Sequence, residues 1–549
     1  MTRAIRAAFV RPPSTVTHEY SKPVECLALG YLCAALREAG HGAVLLDGLL
    51  WRWSVDETVE RILAADVDVV GLSVAFQYLP PEIPDIAKRL RAAGFAGPIL
   101  VGGHSVSFAA DEVVLAHPEI SAVIRGEGES AIAAIATKLA AGEDFRTAPG
   151  VTFAEDGRAV QRPVRREADL DALPRPARDA VPDILANDGL VAISTSRGCY
   201  ARCTFCSVPR FFGLEAGHKH ASGAWLSRSP ACVVEEMRDL KNRFGIIELL
   251  FVDDEFFGGS EAGKRRAEEL AARLIEADLG IRFAISCRAE NVEEALFARL
   301  QAAGLSHVFI GIESGVAQAL KLFAKSQTLD DSRRAIATVK RLGLSFQAGF
   351  MAFNHQSTLA DIRLNLDFLE EIGEAKPYNF NTAAAPYRGT PLADKVARDG
   401  MMTDAARRTA TGFLDLHVAL AREAAAEIAA AAAPFIGAIA ALQSAITYQW
   451  RRDVPARSDE TRRVVNALEA AINAELFQMM RETVETLESQ PAISGATLLD
   501  DLRARLGTWR KSKEGSVALV CAWVRQKEGE VRYWTQSDLI AHPQEHANA

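Results

Sequence analysis

The chain of 549 residues has 49% hydrophobic and 24% charged residues, a composition typical of folded globular proteins. This length predicts roughly three to four domains, because one hydrophobic core rarely serves so long a chain. The formal net charge of −9 excludes a nucleic-acid backbone as the main partner, since that partner needs a basic surface. The 8 cysteines are too few for a disulfide scaffold, and no signal peptide follows Met1, so we expect a cytoplasmic protein.

Short apolar strands alternate with helices through residues 1–150. This alternation predicts an α/β domain with a doubly wound, Rossmann-like parallel sheet that is covered by helices on both faces. The predicted strands are 7–10, 43–46, 67–73, 99–101 and 122–125, and the predicted helices between them include 27–39, 55–64 and 81–93.

The ends of three predicted strands carry the candidate binding residues of this domain. Ser73 ends the third strand, Gly102-Gly103-His104 follows the fourth, and Gly126-Glu127-Gly128-Glu129 follows the fifth. Ligands of such sheets bind beyond the carboxyl ends of the strands, and paired glycines let the backbone approach a large ligand closely. Each loop taken singly is equally compatible with an ordinary tight turn.

A second alternation of strands and helices follows a linker that we place at residues 151–184. Six strand–helix units in about 200 residues predict a partial (β/α)6 barrel, or a large doubly wound sheet, over residues 185–402, with its chemistry at the strand ends. The predicted strands are 191–196, 247–252, 282–286, 307–312, 345–353 and 379–384.

Residues 403–549 form an alanine-rich, mostly helical region that we expect to shape a substrate pocket, with a short hairpin at 516–535. Residues 428–450 carry no charge and are long enough to cross a bilayer. Their apolarity comes mostly from alanine, and Pro434 interrupts them. This composition favours a pair of buried helices broken at Pro434 over a stable membrane span.

Three cysteines follow the first strand of the predicted barrel. Cys199, Cys203 and Cys206 have the spacing C-x3-C-x2-C. Three thiolates from one loop can ligate three irons of a four-iron cluster and leave the fourth iron open to a small ligand. Zinc is the alternative, and it would need a fourth ligand such as Cys232, His218 or His220. The preceding strand, the spacing and Gly198 favour the cluster.

This motif at the end of a barrel strand resembles the radical S-adenosylmethionine (SAM) superfamily. The resemblance implies a 4Fe–4S cluster, S-adenosyl-L-methionine on the open iron and reductive cleavage to a 5′-deoxyadenosyl radical. It also implies an external one-electron reductant of the flavodoxin or ferredoxin type. Tyr200 and Phe205, beside the ligands, would shield the cluster from water and contact SAM.

Further segments resemble the cobalamin-binding (B12-binding) branch of that superfamily. They are the run FVDDEF at 251–256, SCR at 286–288, GIESG at 311–315 and, more loosely, PYRGTP at 386–391. The resemblance implies that Asp254 receives the ammonium group of SAM, that Arg288 pairs with its carboxylate and that Glu313 binds its ribose. For Asp254 and Glu313, capping of the next helix is the alternative role.

With the barrel assigned, the first domain is similar to the cobalamin-binding domain of the same branch, and the resemblance covers roughly residues 1–420. It implies cobalamin contacts from the strand-end residues Ser73, Phe76, Gly102, Gly103, His104, Gly126, Glu127 and Gly128. Residues 1–150 contain no D-x-H-x-x-G motif. The resemblance therefore implies a cobalt atom without a histidine on its lower face.

The reaction that this branch most often performs is methylation of an unactivated carbon, or of phosphorus, in a small natural-product precursor or a peptide. The cofactors carry the chemistry, so no further catalytic residue is assigned. A radical cyclase or rearrangement enzyme is the first alternative. The tRNA methylthiotransferases need more amino-terminal cysteines and a basic tail, and a non-catalytic corrinoid- or cluster-binding sensor would leave the SAM-binding residue types unexplained.

Overall fold

Two sheets follow one another along the chain, and a bundle of long helices follows them. The computed structural model describes residues 3–13, 23–74, 79–214, 225–402, 412–450 and 455–528. The predicted order of an α/β domain, a parallel barrel-like domain and a helical region is confirmed.

The first sheet has seven strands in the order β2-β1-β3-β4-β5-β6-β7, and its first five strands are parallel. Its elements are β1 (Arg6–Arg11), α1 (Leu27–Glu38), β2 (Gly42–Asp47), α2 (Val55–Ala64), β3 (Val69–Val74), α3 (Glu82–Ala92), β4 (Ile99–Gly103), α4 (Ala110–Ala116), β5 (Ala122–Ile124), α5 (Glu129–Ala140), β6 (Val151–Glu155) and β7 (Arg158–Gln161).

Helices cover both faces of this sheet. Buried residues of α2, α3 and α4 form one core with alternate strand residues, and those of α1 and α5 form a second core on the opposite face. The strands are therefore apolar on both sides, which explains why they read as continuous hydrophobic runs. Ser54 caps the start of helix α2, and its hydroxyl accepts the amide hydrogen of Glu57 in a capping box. With both faces covered, the strand ends are the exposed edge of the domain.

The hairpin of β6 and β7 extends the first sheet beyond residue 150. Strand β6 pairs antiparallel with β5, and Thr152 and Phe153 are buried there. The turn contains Asp156 and Gly157, both with positive φ, a dipeptide that favours tight hairpins. The predicted linker 151–184 therefore begins with part of the first sheet, and its irregular portion starts after Gln161.

The second sheet has five parallel strands in the order β14-β13-β12-β11-β8. Its elements, with the short antiparallel pair of β9 and β10, are α6 (Val181–Ala186), β8 (Val191–Ile193), β9 (Ser196–Arg197), α7 (Val208–Phe211), β10 (Leu226–Ser227), α8 (Pro230–Phe244), β11 (Glu248–Phe251), α9 (Glu261–Ala277), β12 (Arg282–Arg288), α10 (Glu294–Ala302), β13 (Leu305–Glu313), α11 (Ala317–Leu322), α12 (Leu329–Arg341), β14 (Ser345–Phe350), α13 (Leu359–Glu371), α14 (Pro377–Phe380) and α15 (Pro391–Arg398).

The prediction of a sixth strand at 379–384 is wrong for the first residues of that range. Pro377 begins the short helix α14 there, and only one parallel bridge, between Phe353 and Ala383, occupies the position of a sixth strand. The side-chain amide of Asn379 donates to the backbone carbonyl of Glu374 at 2.9 Å, which favours the turn over an extended strand. The barrel is thus a five-stranded sheet whose open edge lies at β14.

Three long helices follow: α16 (Leu416–Trp450), α17 (Pro455–Ser489) and α18 (Gly495–Glu528). Helix α16 runs unbroken through Pro434, so the predicted pair of helices is wrong. Pro434 lies on the exposed side, while its neighbour Phe435 is buried and packs edge-on against Trp509 with ring centroids 5.4 Å apart. Packing of this kind offsets the roughly 3 kcal/mol that an internal proline costs.

The hairpin that we predict at 516–535 is also wrong, because α18 continues to Glu528, and residues 529–535 lie outside the described part of the chain. Among the described helices, the segment Leu416–Ala440 of α16 is long and apolar enough to cross a membrane, and 39% of its most apolar 18-residue stretch is buried. Helices packed inside globular proteins share this character, so the segment is weak support for a membrane span.

Candidate functional site between the two sheets

A cavity lies where the strand ends of the first sheet meet the beginning of the second domain. Its volume of about 330 Å³ lies at the lower end of the 300–1,000 Å³ typical of sites for drug-sized ligands. The first domain contributes strand-end residues and apolar residues of α1 and α5. The second domain contributes Ser194, Ser196, Arg197, Phe211, Phe212, Val252 and Asp254.

All the described residues that we predict to bind cobalamin line this cavity: Ser73, Gly102, Gly103, His104, Gly126, Glu127 and Gly128. Phe76 lies outside the described residues. Gly103 has a φ of 133°, and a Cβ atom there would lie 2.2 Å from the carbonyl oxygen of Val74. Backbone geometry therefore requires a glycine at position 103. We call Gly102, Gly103, Gly126 and Gly128 together the glycine edge of the first sheet.

His104 connects the glycine edge of the first sheet to the second domain. Its Nε2 atom lies 2.8 Å from the hydroxyl oxygen of Ser207, and its ring stacks on Phe211 with centroids 4.4 Å apart. Burial lowers the pKa of His104 to about 4. The imidazole is therefore neutral near pH 7.

A second connection joins Arg197 to two glutamates of the first domain. The guanidinium donates to Glu127 at 2.6 Å and to Glu129 at 2.7 Å, and it lies 4.8 Å from the ring centroid of Tyr31. Burial, partly offset by Arg197, raises the pKa of Glu127. The Glu127 carboxylate is thus already paired within the protein. Glu129 belongs to the strand-end segment noted in the sequence, although we did not predict it to contact cobalamin. We gave no role to Arg197, which looks like an ordinary charged residue beside a turn.

The three predicted cluster ligands lie in one loop, residues 198–206, which we call the cysteine loop. Thr204 anchors it to the barrel, with its amide donating to Phe323 at 2.9 Å and its hydroxyl to Leu322 at 2.8 Å. Burial raises the pKa of Cys199 to about 12 and that of Cys206 further, and the neighbouring thiols contribute in the same direction. Buried thiols become thiolates only beside a strong positive charge, such as a metal.

The zinc alternative gains no support from this geometry. In the described ranges, no three His, Cys, Asp or Glu side chains meet closely enough to hold a single metal ion. Cys232 lies in the first turn of α8, and the two histidines, His218 and His220, lie outside the described residues.

The three acidic residues after β11 have different surroundings. Asp253 is buried and accepts the amide hydrogens of Thr195 at 2.6 Å and Ser196 at 2.9 Å. Glu255 is buried and accepts from Asn291 at 2.9 Å, and burial raises its pKa to about 7. Asp254 is the one of the three that lines the cavity.

Asp254 also touches the start of the cysteine loop, because its carboxylate accepts the amide hydrogen of Gly198 at 3.0 Å. Enclosure by the surrounding protein raises the pKa of Asp254 to about 6, although the side chain is accessible from the cavity. The alternative role of capping a helix is wrong for Asp254, because Ser260 caps α9.

Arg288 lies directly against the cysteine loop. Its guanidinium donates to the Sγ atom of Cys203 at 3.3 Å, to Glu290 at 2.5 Å and to Ser326 at 3.0 Å. Its charge lies 5.7 Å from the ring centroid of Tyr200. The second carboxylate oxygen of Glu290 is buried and has no hydrogen-bond partner among the described residues. Glu290, which we did not select from the sequence, is thus an acceptor left open beside the cysteines.

The other two predicted SAM contacts are engaged with the protein. Glu313 has a φ of 69° at the irregular end of β13, and its carboxylate accepts from Lys325 at 2.7 Å. It does not cap α11, which has no side-chain cap. Phe205 packs edge-on against Phe323 with ring centroids 5.4 Å apart.

Two family models match separate parts of this chain. Residues 13–136 match the B12 binding domain, and residues 193–368 match the radical SAM superfamily. Together the two matches cover more than half of the chain. The chain belongs to the cobalamin-dependent radical SAM enzymes. The two domains of such an enzyme imply SAM, a 4Fe–4S cluster and cobalamin as cofactors.

Named relatives of this radical SAM enzyme include proteins of more than one activity. An uncharacterized methyltransferase of Pyrococcus horikoshii is 29% identical over 372 residues, which are 67% of this chain and 77% of that protein. The 4′-phospho-dehydrooxetanocin synthase of Priestia megaterium is 26% identical over 370 residues, 63% of this chain and 48% of that protein.

A solved structure has the same fold. The cobalamin-dependent SAM radical enzyme OxsB, with aqua-cobalamin and SAM bound, matches with a TM-score of 0.73 over 100% of this chain and 85% of that chain. The sequence identity is 18%, so this likeness establishes the fold alone.

The residues of this radical SAM enzyme fit the implied cofactors. The buried cysteine thiols need a metal in order to ionise. The Glu290 oxygen without a partner among the described residues, near these thiols, can accept a hydrogen bond from a polar ligand. The glycine edge and the apolar lining from α1 and α5 suit a large, flat, mostly apolar ligand.

Proposed function

We propose that this cobalamin-dependent radical SAM enzyme methylates an unactivated carbon, or a phosphorus atom, of a small natural-product precursor or a peptide. The observation that carries the proposal is the single cavity that the glycine edge of the first sheet shares with Asp254 and Arg197, which flank the cysteine loop. When bound there, the cofactors would supply the radical that activates the substrate and the methyl group that the activated substrate receives. The protein supplies their placement.

The proposed residue roles follow from position. Cys199, Cys203 and Cys206 hold the cluster. Asp254 receives the ammonium of SAM, supported by its place on the cavity wall, and Arg288 pairs with the SAM carboxylate, supported by its contact with Cys203. Glu313 binds the ribose through its free acceptor capacity beside Lys325, and Tyr200 and Phe205 shield the cluster.

The cobalt of cobalamin is proposed to lack a histidine on its lower face. His104 is the one histidine among the described residues that line the cavity, and its ring is already held by Ser207 and Phe211. Cobalamin is proposed to contact the strand-end residues Ser73, Gly102, Gly103, Gly126, Glu127 and Gly128, together with Phe76.

Two products of SAM test the methyl-transfer proposal without knowledge of the substrate class. Anaerobic protein with cluster, cobalamin and a low-potential reductant is expected to convert SAM to S-adenosylhomocysteine and 5′-deoxyadenosine. The first product reports methyl transfer and the second reports reductive cleavage, and both are quantified by liquid chromatography. Protein prepared without cobalamin is the control, and it should form no S-adenosylhomocysteine.

A radical cyclase or rearrangement enzyme remains the second candidate, since one relative is named a synthase. Such an enzyme would give 5′-deoxyadenosine without S-adenosylhomocysteine in the same assay. The absence of both products would contradict any radical SAM activity and would leave the non-catalytic sensor.

Asp254 gives a testable pH dependence. With its pKa raised to about 6, the side chain is a carboxylate above pH 6 and neutral below it. If it receives the ammonium group, the affinity for SAM falls as pH drops below about 6, by up to about tenfold per pH unit. Asp254→Asn is expected to weaken SAM binding about tenfold or more at pH 7.5, because a hydrogen bond to a charged group contributes about 1.5–3 kcal/mol.

Equilibrium dialysis of labelled SAM against cluster-loaded protein between pH 5 and 8 measures this effect. Asp239→Asn, at an exposed position of α8, is the matched control and should keep the wild-type profile. If the affinity of Asp254→Asn for SAM still falls below pH 6 as in the wild type, another group is responsible for the pH dependence.

We also propose how substrate and electrons reach the site. Helix α16 covers the open edge of the barrel, where Arg422 donates to Asn381 at 2.7 Å and lies 6.0 Å from the ring centroid of Phe353. This contact supports a substrate pocket shaped by the carboxyl-terminal helices. We propose that an external reductant of the flavodoxin or ferredoxin type supplies the electrons in the cytoplasm. We propose no nucleic-acid partner.

A further inference from the structure

The first domain holds the cysteine loop at both of its ends. Arg197 directly precedes the loop and pairs with Glu127 and Glu129. Ser207 directly follows the loop and contacts His104. These partners are 68 to 103 residues apart in sequence, so the contacts are made only when the two domains pack together.

The contact before the loop is a buried ion pair. The side chain of Arg197 is 13% exposed, and those of its two carboxylate partners are 6% and 8% exposed. A buried guanidinium that lost these partners would be left uncompensated, so its position depends strongly on the first domain. Gly198, the next residue, donates to Asp254, which continues this fixation into the loop.

The contact after the loop has a polar and an apolar part. Ser207 immediately follows the ligand Cys206, and its hydroxyl meets the imidazole of His104 at 2.8 Å. Phe211, one helical turn later in α7, stacks on the same imidazole. A displacement of the loop end would therefore break a hydrogen bond and an aromatic contact together.

The residues that hold the loop are also cavity residues. His104, Glu127, Glu129 and Arg197 all line the cavity in which cobalamin is proposed to bind. A ligand in the cavity thus contacts the same side chains that fix the two loop ends. The state of the loop and the state of the cavity are physically connected.

We infer that cluster binding and cobalamin binding strengthen each other through these two contacts, with His104, Glu129, Arg197 and Ser207 as positioning residues. The inference rests on the proposed function for the presence of both cofactors. A cluster fixes the cysteine loop and, through its ends, the cavity wall, so cobalamin then orders less of the protein when it binds. Because coupling between two binding sites is reciprocal, bound cobalamin must increase the affinity of the protein for the cluster by the same factor.

The experiment compares cobalamin affinity with and without the cluster. The dissociation constant of hydroxocobalamin is measured anaerobically by ultrafiltration, with free cobalamin determined in the filtrate, for cluster-free and cluster-loaded full-length protein. We expect cluster loading to lower this constant by about fivefold or more in the wild type. In the reverse direction, hydroxocobalamin is expected to slow iron loss to a chelator.

The test variant is Glu129→Gln combined with Ser207→Ala. Each substitution removes one contact at one loop end, while Glu127 still neutralises Arg197 and Phe211 still stacks on His104. In this variant, we expect the dissociation constant of hydroxocobalamin to differ by less than about twofold between cluster-free and cluster-loaded protein. Melting of the cluster-free protein checks folding, and Ser207→Ala alone carries the test if the double variant does not fold.

Thr204→Val is the matched control, because it removes a hydroxyl contact of the same loop to the barrel and not to the first domain. It is expected to keep the wild-type coupling. Equal cobalamin affinity with and without the cluster in the wild type would overturn the inference, and so would undiminished coupling in the double variant. If wild-type protein binds no hydroxocobalamin in either state, the proposed cofactor set fails first, and the inference falls with it.

Discussion

Replacement of Cys203 by alanine is expected to abolish the visible absorbance of the reconstituted iron–sulfur cluster and the formation of 5′-deoxyadenosine. Cys203 is the central member of the cysteine loop, is 8% exposed and receives a hydrogen bond from Arg288. Two remaining thiolates cannot hold three irons of the cluster, so SAM would find no open iron. Iron content, absorbance after anaerobic reconstitution and chromatography of 5′-deoxyadenosine measure the result, and we expect product below about 1% of wild type, since the cofactor carries the chemistry.

Cys232→Ala is the matched control for this experiment. Cys232 lies in α8 and is the described cysteine that a zinc site would recruit as its fourth ligand. We expect this variant to keep wild-type iron content and product formation. Loss of metal in Cys232→Ala, together with retention in Cys203→Ala, would reverse the assignment of the ligands.

Replacement of Arg178 by methionine is expected to destabilise the protein by about 3–5 kcal/mol, the usual cost of removing one partner from a buried ion pair. Arg178 lies in the segment between the domains and donates to Glu25 at 2.7 Å and to Glu236 at 2.5 Å. All three side chains are 3% exposed. Arg228 completes the network by pairing with the second oxygen of Glu236.

The substitution mainly affects Glu25, which loses its ion-pair partner. Its carboxylate would keep a single hydrogen bond in this network, from the amide of Ala192 at 3.1 Å, in surroundings that already raise its pKa by burial. The free energy of unfolding is measured by urea denaturation of the cluster-free protein, followed by tryptophan fluorescence.

Arg175→Met provides the control in the same segment. Arg175 pairs with Glu235 at 2.9 Å, but the two side chains are 47% and 58% exposed. Exposed pairs of this kind contribute at most about 1 kcal/mol, so the unfolding midpoint should change little. Equal effects of the two substitutions would show that burial of the Arg178 network does not govern its contribution.

Much of the fold was predictable because its helices and strands have local signals. The five parallel strands of the first sheet are apolar on both faces, and β8, the first strand of the barrel, has core residues on both faces as well. The errors lie where tertiary structure decides. Pro434 stays inside α16 because its neighbours are packed, and residues 377–380 form a helical turn in an otherwise strand-like sequence.

The candidate site was predictable in its motifs and not in its connections. The cysteine spacing and the glycine pairs are short patterns whose chemistry is readable from the residues themselves. The contacts of His104 with Ser207 and of Glu129 with Arg197 join residues of different domains. No local pattern specifies such pairs, since they depend on how two finished domains dock.

The Arg178 network has a consequence for how substrate enters. It joins the segment between the domains to Glu25, which precedes α1, and to Glu236 of α8, so hinge opening of the two cofactor domains would have to break it. Substrate exchange is therefore expected to proceed through movement of the carboxyl-terminal helices at the β14 edge, with the two cofactor domains closed throughout turnover.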